Sequence, residues 1–146
     1  MNKLHWLIGL LAVSAFAGCG SDIVSTDRLK MLEHKCVYIA PLESNDPSIG
    51  KVIRDVLEKE LMKQKIELCD PNTATVFFTG STFMTVVGTA SASSQAIESV
   101  SLVGKDANGE MLLSASYDNS GSFFKVRYSA IKLAQQFGSS LAEKLK

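Results

Sequence analysis

The chain has 146 residues, enough for one domain with a substantial core and no reliance on metal or disulfide staples. Hydrophobic residues make up 46% and charged residues 21%, an ordinary globular composition. Lys+Arg and Asp+Glu both number 15, so no basic field gathers phosphates and nucleic acid is excluded as a leading partner.

The first element is an apolar stretch behind a short cationic start, Met1-Asn2-Lys3. His5 to Phe16 is uncharged and mostly apolar, and small residues follow at Ala17-Gly18. A transmembrane helix needs roughly 20 apolar residues. This segment is shorter and has the flanks of a signal peptide, which we place at residues 1–18. Its end, Phe16-Ala17-Gly18-Cys19, resembles the lipobox of bacterial lipoproteins: a large apolar residue, two small ones, then the cysteine that is lipidated. Phe16 stands where leucine is usual. The resemblance implies cleavage before Cys19, S-diacylglycerol on its thiol and N-palmitoylation of its new amino group. Several acyl chains give stable anchoring where one gives only marginal binding. Gly20, rather than aspartate, after that cysteine implies the outer membrane, with the domain on the periplasmic face.

Gly20 to His34 is polar without a sustained period, so residues 19–34 read as a lipidated tether with a short ordered piece at Arg28–Leu32. A single domain follows, residues 35–146. Lys35 to Ala40 is β-prone and ends at Pro41. Asn45 or Asp46 suits a helix N-cap, and Pro47 the first helical position. Ile49, Val52, Ile53, Val56, Leu57 and Leu61 form one stripe of a helix that ends near Gln64. Lys65 to Cys69 alternates as a strand, and strand–helix–strand at this spacing predicts a parallel pair. Thr75 to Val87 predicts a long strand bent at Gly80, and Val87 to Ser94 a small-residue loop or pliable edge. Ile97 to Val103 is a further strand. Asp106-Ala107-Asn108-Gly109 is a hairpin turn, and Met111 to Tyr117 returns antiparallel. A last helix carries Ala130, Ile131, Leu133, Ala134, Phe137, Leu141 and Leu145. The expectation is an α+β fold of order β-α-β-β-β-β-α, with two helices on one face of a mixed sheet.

This layout resembles the small α+β domain of the TolB amino terminus, the curli-secretion lipoprotein and the lipoprotein activators of penicillin-binding proteins. The resemblance rests on Val37-Tyr38-Ile39-Ala40-Pro41-Leu42-Glu43, on the helix from Ile49, and on Ala74 to Ser81. It implies a protein-binding or assembly module with no catalytic set to carry over.

Cys36 and Cys69 are the cysteines left after Cys19. An oxidising compartment favours bonding them. Cys36 opens one strand and Cys69 closes the other, however, which in a parallel pair separates them by roughly 15 Å. A bridge needs Cα atoms within about 7 Å. The expectation is therefore two buried thiols, with a disulfide as the alternative. His34, Cys36, Cys69 and Asp70 lack a usual zinc spacing, so we expect no metal and no cofactor. His34 is the one histidine beyond the leader, and no nucleophile elbow or phosphate loop occurs. Phe123, Phe124, Val126 and Tyr128 read as closing the core, or else as an apolar patch.

The sequence thus points to a membrane-anchored periplasmic lipoprotein without catalysis that binds another envelope protein in secretion, envelope assembly or cell-wall synthesis. A small-ligand or envelope-stress lipoprotein is the alternative, and an enzyme comes third. Oligomeric state is not legible. Replacing Cys19 with serine is expected to leave an uncleaved precursor that takes up no acyl label; normal labelling of that variant would refute the anchor.

Overall fold

The computed structural model describes residues 21–89, 92–118 and 130–146. The expected leader, the expected lipidation motif ending at Cys19, Gly20, and the aromatic run Phe123 to Tyr128 lie outside the described residues. Strand β1 (Ser21–Ser25) and helix α1 (Asp27–Met31) come first, then β2 (Cys36–Ile39), β3 (Glu43–Ser44) and α2 (Pro47–Lys63). They are followed by β4 (Glu67–Leu68), β5 (Val76–Thr89), β6 (Ala92–Lys105), β7 (Met111–Asp118) and α3 (Ala130–Leu145). The expected order is present, with β1 and β3 added and α1 overlapping the short ordered piece expected at Arg28–Leu32. The strands form one mixed sheet of order β1-β7-β6-β5-β2-β4, with β3 alongside β5. As expected, β2 and β4 are parallel.

Alternation along the strands sends Val37, Ile39, Val76, Phe78, Val100, Leu102, Leu113 and Ala115 to one face, all buried. That face meets α2 through Ile53, Leu57 and Leu61, and α3 through Leu133, Phe137, Leu141 and Leu145. The helices also pack on each other closely: a Cβ on Gly138 would lie 2.9 Å from that of Glu60. Glu60 is buried, and Lys63 Nζ donates to it at 2.6 Å, so the carboxylate is not left unpaired. Val52, placed by spacing on the buried stripe, lies at its margin and is exposed.

Both ends of α2 are closed by local chemistry. Asp46 is the N-cap, and its carboxylate accepts from the Ser48 N–H and hydroxyl. Those bonds hold its carboxyl below the ordinary aspartate range. At the other end the Ile66 N–H donates to the Leu61 carbonyl and the Lys65 N–H to that of Met62, a Schellman closure. The left-handed residue of that motif is Lys65, with φ 63°. In the β6–β7 turn Gly109 takes φ 83°, and the Asp106 carboxylate accepts from the Asn108 and Glu110 N–H groups at 2.9 Å each.

Four expectations are corrected. The stretch read as a tether belongs to the domain from Ser21 onward: β1 pairs antiparallel with β7, and Leu29 of α1 is buried. The Arg28 guanidinium holds Asp106 at 2.8 Å and also pairs with Glu110, tying α1 to the far hairpin. Of the small-residue tract Val87 to Ser94, residues 87–89 and 92–94 are strand and not loop, because β5 and β6 stay in register out to Thr89 opposite Ala92. Composition alone reads this backbone pairing as irregular. The irregularity of β5 falls between Phe83 and Met84, not at Gly80. Gly80 is instead a point of close approach, where a Cβ would collide with the Ser101 carbonyl oxygen.

The fourth correction is Cys36–Cys69, which the structure joins as a disulfide with Cα atoms 5.7 Å apart. Register accounts for it. Cys36 pairs with Glu67, not Lys65, and β4 ends at Leu68. Cys69 therefore lies just past the pairing, beside the start of β2.

Lys65→Gly is expected to stabilise the domain by about 1 kcal/mol, since a Cβ in the left-handed region costs roughly that much. A thermal midpoint that falls in this variant would contradict the Schellman reading.

Candidate functional site: a strand ribbon and the sheet face opposite the helices

Two surfaces stand out once the core is assigned. The first follows from the unequal lengths of the strands. β7 pairs β6 only from Ser99 to Lys105, and β2 and β3 meet β5 no further than Thr82. Beyond that row, Met84–Thr89 and Ala92–Ile97 pair only with each other among the described residues. They form a two-stranded ribbon with no further strand on either outer edge among the described residues. Open edges present unpaired N–H and C=O groups, the ordinary basis of strand addition by a partner.

The base of the ribbon is clamped. Asn45 Nδ2 donates to the Met84 carbonyl at 2.8 Å, and the Met84 N–H donates to Asn45 Oδ1 at 3.1 Å. One side-chain amide thus satisfies both backbone groups at the bulge, as a neighbouring strand would. Across the ribbon's root the Thr82 hydroxyl donates to the Ser99 carbonyl at 3.2 Å. Of the two caps considered for α2, Asp46 therefore takes the helix and Asn45 takes the strand. The ribbon lies within residues 71–97, a stretch without a charged side chain. Its direction follows from register: Thr82, Val100, Tyr117 and Ser21 share one row across the sheet. Past this row β5 and β6 continue as the ribbon, and on β1 the chain leads toward Cys19. The ribbon and the N-terminal entry leave the sheet at the same end.

The second surface is the sheet face opposite the helices. Thr79, Ser81, Ser101, Ser114 and Ser116 line it, with Phe83 half exposed and Val24 64% exposed. Tyr38 and Phe77, paired across β2 and β5, meet edge to face at 6.5 Å between ring centres. Near the β2–β3 turn an open groove of about 490 Å³ is lined by Pro41, Leu42, Glu43, Ser44, Pro47, Lys51 and Arg54.

Of the residues singled out by sequence, Cys36 and Cys69 are brought together and Cys19 lies outside the described residues. His34 lies beside the disulfide with its Nε2 3.1 Å from a Glu67 carboxylate oxygen. Asp70 instead closes a turn, its carbonyl accepting from the Thr73 and Ala74 N–H groups. Sequence reasoning missed Glu67 and Asn45. The repeated spacing His34-x-Cys36 and Glu67-x-Cys69 was a signal for the former; nothing short of tertiary structure marks the latter.

No protein-family model and no curated protein sequence matches the chain. Among solved structures it is similar to a PelC dodecamer from Paraburkholderia phytofirmans, with TM-score 0.60 and 13% identity over 86% of this chain and 97% of that one. It is also similar to a PDZ domain protein from Parabacteroides distasonis, with TM-score 0.51 and 12% identity. That likeness covers 84% of this chain and 34% of the other. At such identities the shared property is the fold.

Asn45→Ala removes both bonds to Met84, and we expect a loss of about 1 kcal/mol. Amide exchange at Met84 and along the ribbon should quicken more than in β7. Unchanged exchange at Met84 would show that the clamp does not hold the ribbon.

Proposed function

We propose that this chain is a lipoprotein anchored through Cys19 to the outer membrane, facing the periplasm. Its domain is a non-catalytic module that binds another envelope protein in secretion, assembly or cell-wall synthesis. The observation that carries this reading is the ribbon, an uncharged pair of strands that meets no further strand among the described residues and outreaches the sheet on the side where the chain enters from Cys19. Partner strands add to such edges through main-chain hydrogen bonds.

Two further points support it. Cys19 precedes Ser21 by two positions, and two extended residues span only about 7 Å. A domain anchored there sits against the bilayer, so the ribbon's partner belongs to the membrane plane. The fold is similar to that of PelC, a protein described as a dodecamer, which supports a place in an assembly. The short motifs shared with TolB-type domains point the same way.

The test uses photoreactive side chains placed singly at Val87 on the ribbon and at Lys144 on α3, with crosslinking in living cells and mass spectrometry of a tagged chain. One envelope protein is expected to dominate at Val87 and to be absent at Lys144. The double variant Val87→Pro, Ser94→Pro breaks ribbon pairing. It should lose that crosslink more than about tenfold, or roughly 1.4 kcal/mol of binding, with little change in the thermal midpoint. Equal capture from both positions, or a crosslink indifferent to the prolines, would refute the ribbon as the binding element.

A further inference from the structure

We infer that His34, Cys36, Glu67 and Cys69 form a four-ligand site for a zinc-class divalent cation when the Cys36–Cys69 bond is reduced. The inference begins with chain placement. His34 lies two residues ahead of Cys36, which opens β2, and Cys69 directly follows β4, its N–H donating to the Val37 carbonyl. The parallel pairing sets Cys36 opposite Glu67. Val37 and Leu68 turn toward the core, so Cys36 and Glu67 share the opposite face at the edge of the sheet, where His34 reaches Glu67 and Cys69 reaches Cys36.

The distances match that placement. A ring nitrogen of His34, the sulfur of Cys36 and a carboxylate oxygen of Glu67 all lie within 4.8 Å of one another. His34 Nε2 is 3.1 Å from Glu67 Oε2, and Cys69 Sγ is 4.0 Å from Glu67 Oε1. Around tetrahedral zinc, bond lengths near 2.0–2.3 Å put N and O about 3.3 Å apart and S and O about 3.5 Å apart. The two sulfurs would part to about 3.8 Å, with the Cα atoms 5.7 Å apart as they now stand. Two thiolates, an imidazole and a carboxylate are ligand types zinc accepts. His34 and Glu67 are largely exposed, with side chains 66% and 57% accessible, while Cys36 is buried, so a cation meets the site from the side of the histidine and the carboxylate.

The chemistry balances. A dithiol reductant donates two electrons and two protons, opening the Cys36–Cys69 bond to two thiols and leaving as its own disulfide. A phosphine does the same with one water and leaves as the phosphine oxide. Zinc then displaces the two thiol protons to solvent and is bound by both sulfurs, His34 and Glu67. Disulfide and metal are therefore mutually exclusive states of one site, and bound zinc blocks reoxidation.

The experiment uses the full chain carrying Cys19→Ser, so that Cys36 and Cys69 are its only thiols. After phosphine reduction it is titrated with Co²⁺ and then with Zn²⁺. One Co²⁺ per chain with thiolate-to-cobalt charge-transfer absorption, displaced by one Zn²⁺, is expected; the oxidised chain should give none. His34→Ala and Glu67→Ala should each weaken zinc binding more than about tenfold, and zinc should slow return of the disulfide. A folded reduced chain without the cobalt band overturns the site. So does zinc affinity unchanged in both variants, which would leave a structural disulfide beside an incidental ion pair. If reduction unfolds the chain, refolding on zinc supports the site, and failure to refold overturns it.

Discussion

Strand β5 is the constraint on which the rest of the molecule depends. Every backbone N–H and C=O in a buried strand needs a partner. β5 finds its partners in β2 over Val76–Phe78, in β3 at Ser81–Thr82, and in β6 from Phe77 to Thr89. It thereby joins the parallel half of the sheet to the antiparallel half. Its buried side chains, Val76, Phe78 and Met84, belong to the core that the helices cover, while Gly80 lets the β6 backbone come close. A strand that pairs this long on one side and only in short pieces on the other must run out of neighbours. The ribbon is the consequence.

The two lateral edges of the sheet are secured in different ways. At one end, β1 is short and its continuation is fixed by Arg28 to Asp106 and Glu110, and by the Thr26 N–H and hydroxyl donating to the Leu112 carbonyl. At the other, β4 has two residues and Cys69 is tied back to Cys36. Closing a loop over a sequence separation of 33 removes about 3–4 kcal/mol of chain entropy from the unfolded state. Short, tied edges resist unwanted strand pairing. The ribbon, by contrast, pairs with no further strand among the described residues, which is why the proposed function rests on it and not on the lateral edges.

The elements of the βαβ unit, the three long strands and the last helix were legible because their patterns are strong. α2 has a stripe at steps of three and four, β7 alternates, and the turn at Asp106 to Gly109 has residues suited to it. Three things were not legible. β1 is weakly patterned because half of it faces solvent at the sheet edge, and Val24 is exposed there. The ribbon's far half, residues 88–89 and 92–94, lacks the large residues that mark a strand, since backbone pairing alone does not call for them. Register was the third: shifting Cys36 from Lys65 to Glu67 moves Cys69 from out of range to bonded. Composition says nothing about that choice, because it is made by how far the Schellman closure at Lys65 and Ile66 advances the chain before β4 begins. The same shift created the cluster with His34 and Glu67.

Register also relates the proposed anchor to the ribbon. Were Cys19 lipidated, the slack before Ser21 would be at most about 7 Å, whereas Met84–Thr89 extends the sheet by about 20 Å in that same direction. A domain anchored there would not stand upright on the bilayer with its ribbon clear of the headgroups. The ribbon has no charged side chain to oppose such an approach. Any backbone edge left unpaired would still keep it out of hydrocarbon, where each unsatisfied group costs several kcal/mol. An anchored molecule on its own would then tilt and lay the ribbon along the interface, and a strand added to the ribbon would remove that penalty. On the proposed reading, strand addition and the domain's stance on the membrane form one equilibrium, set by the difference between two chain lengths.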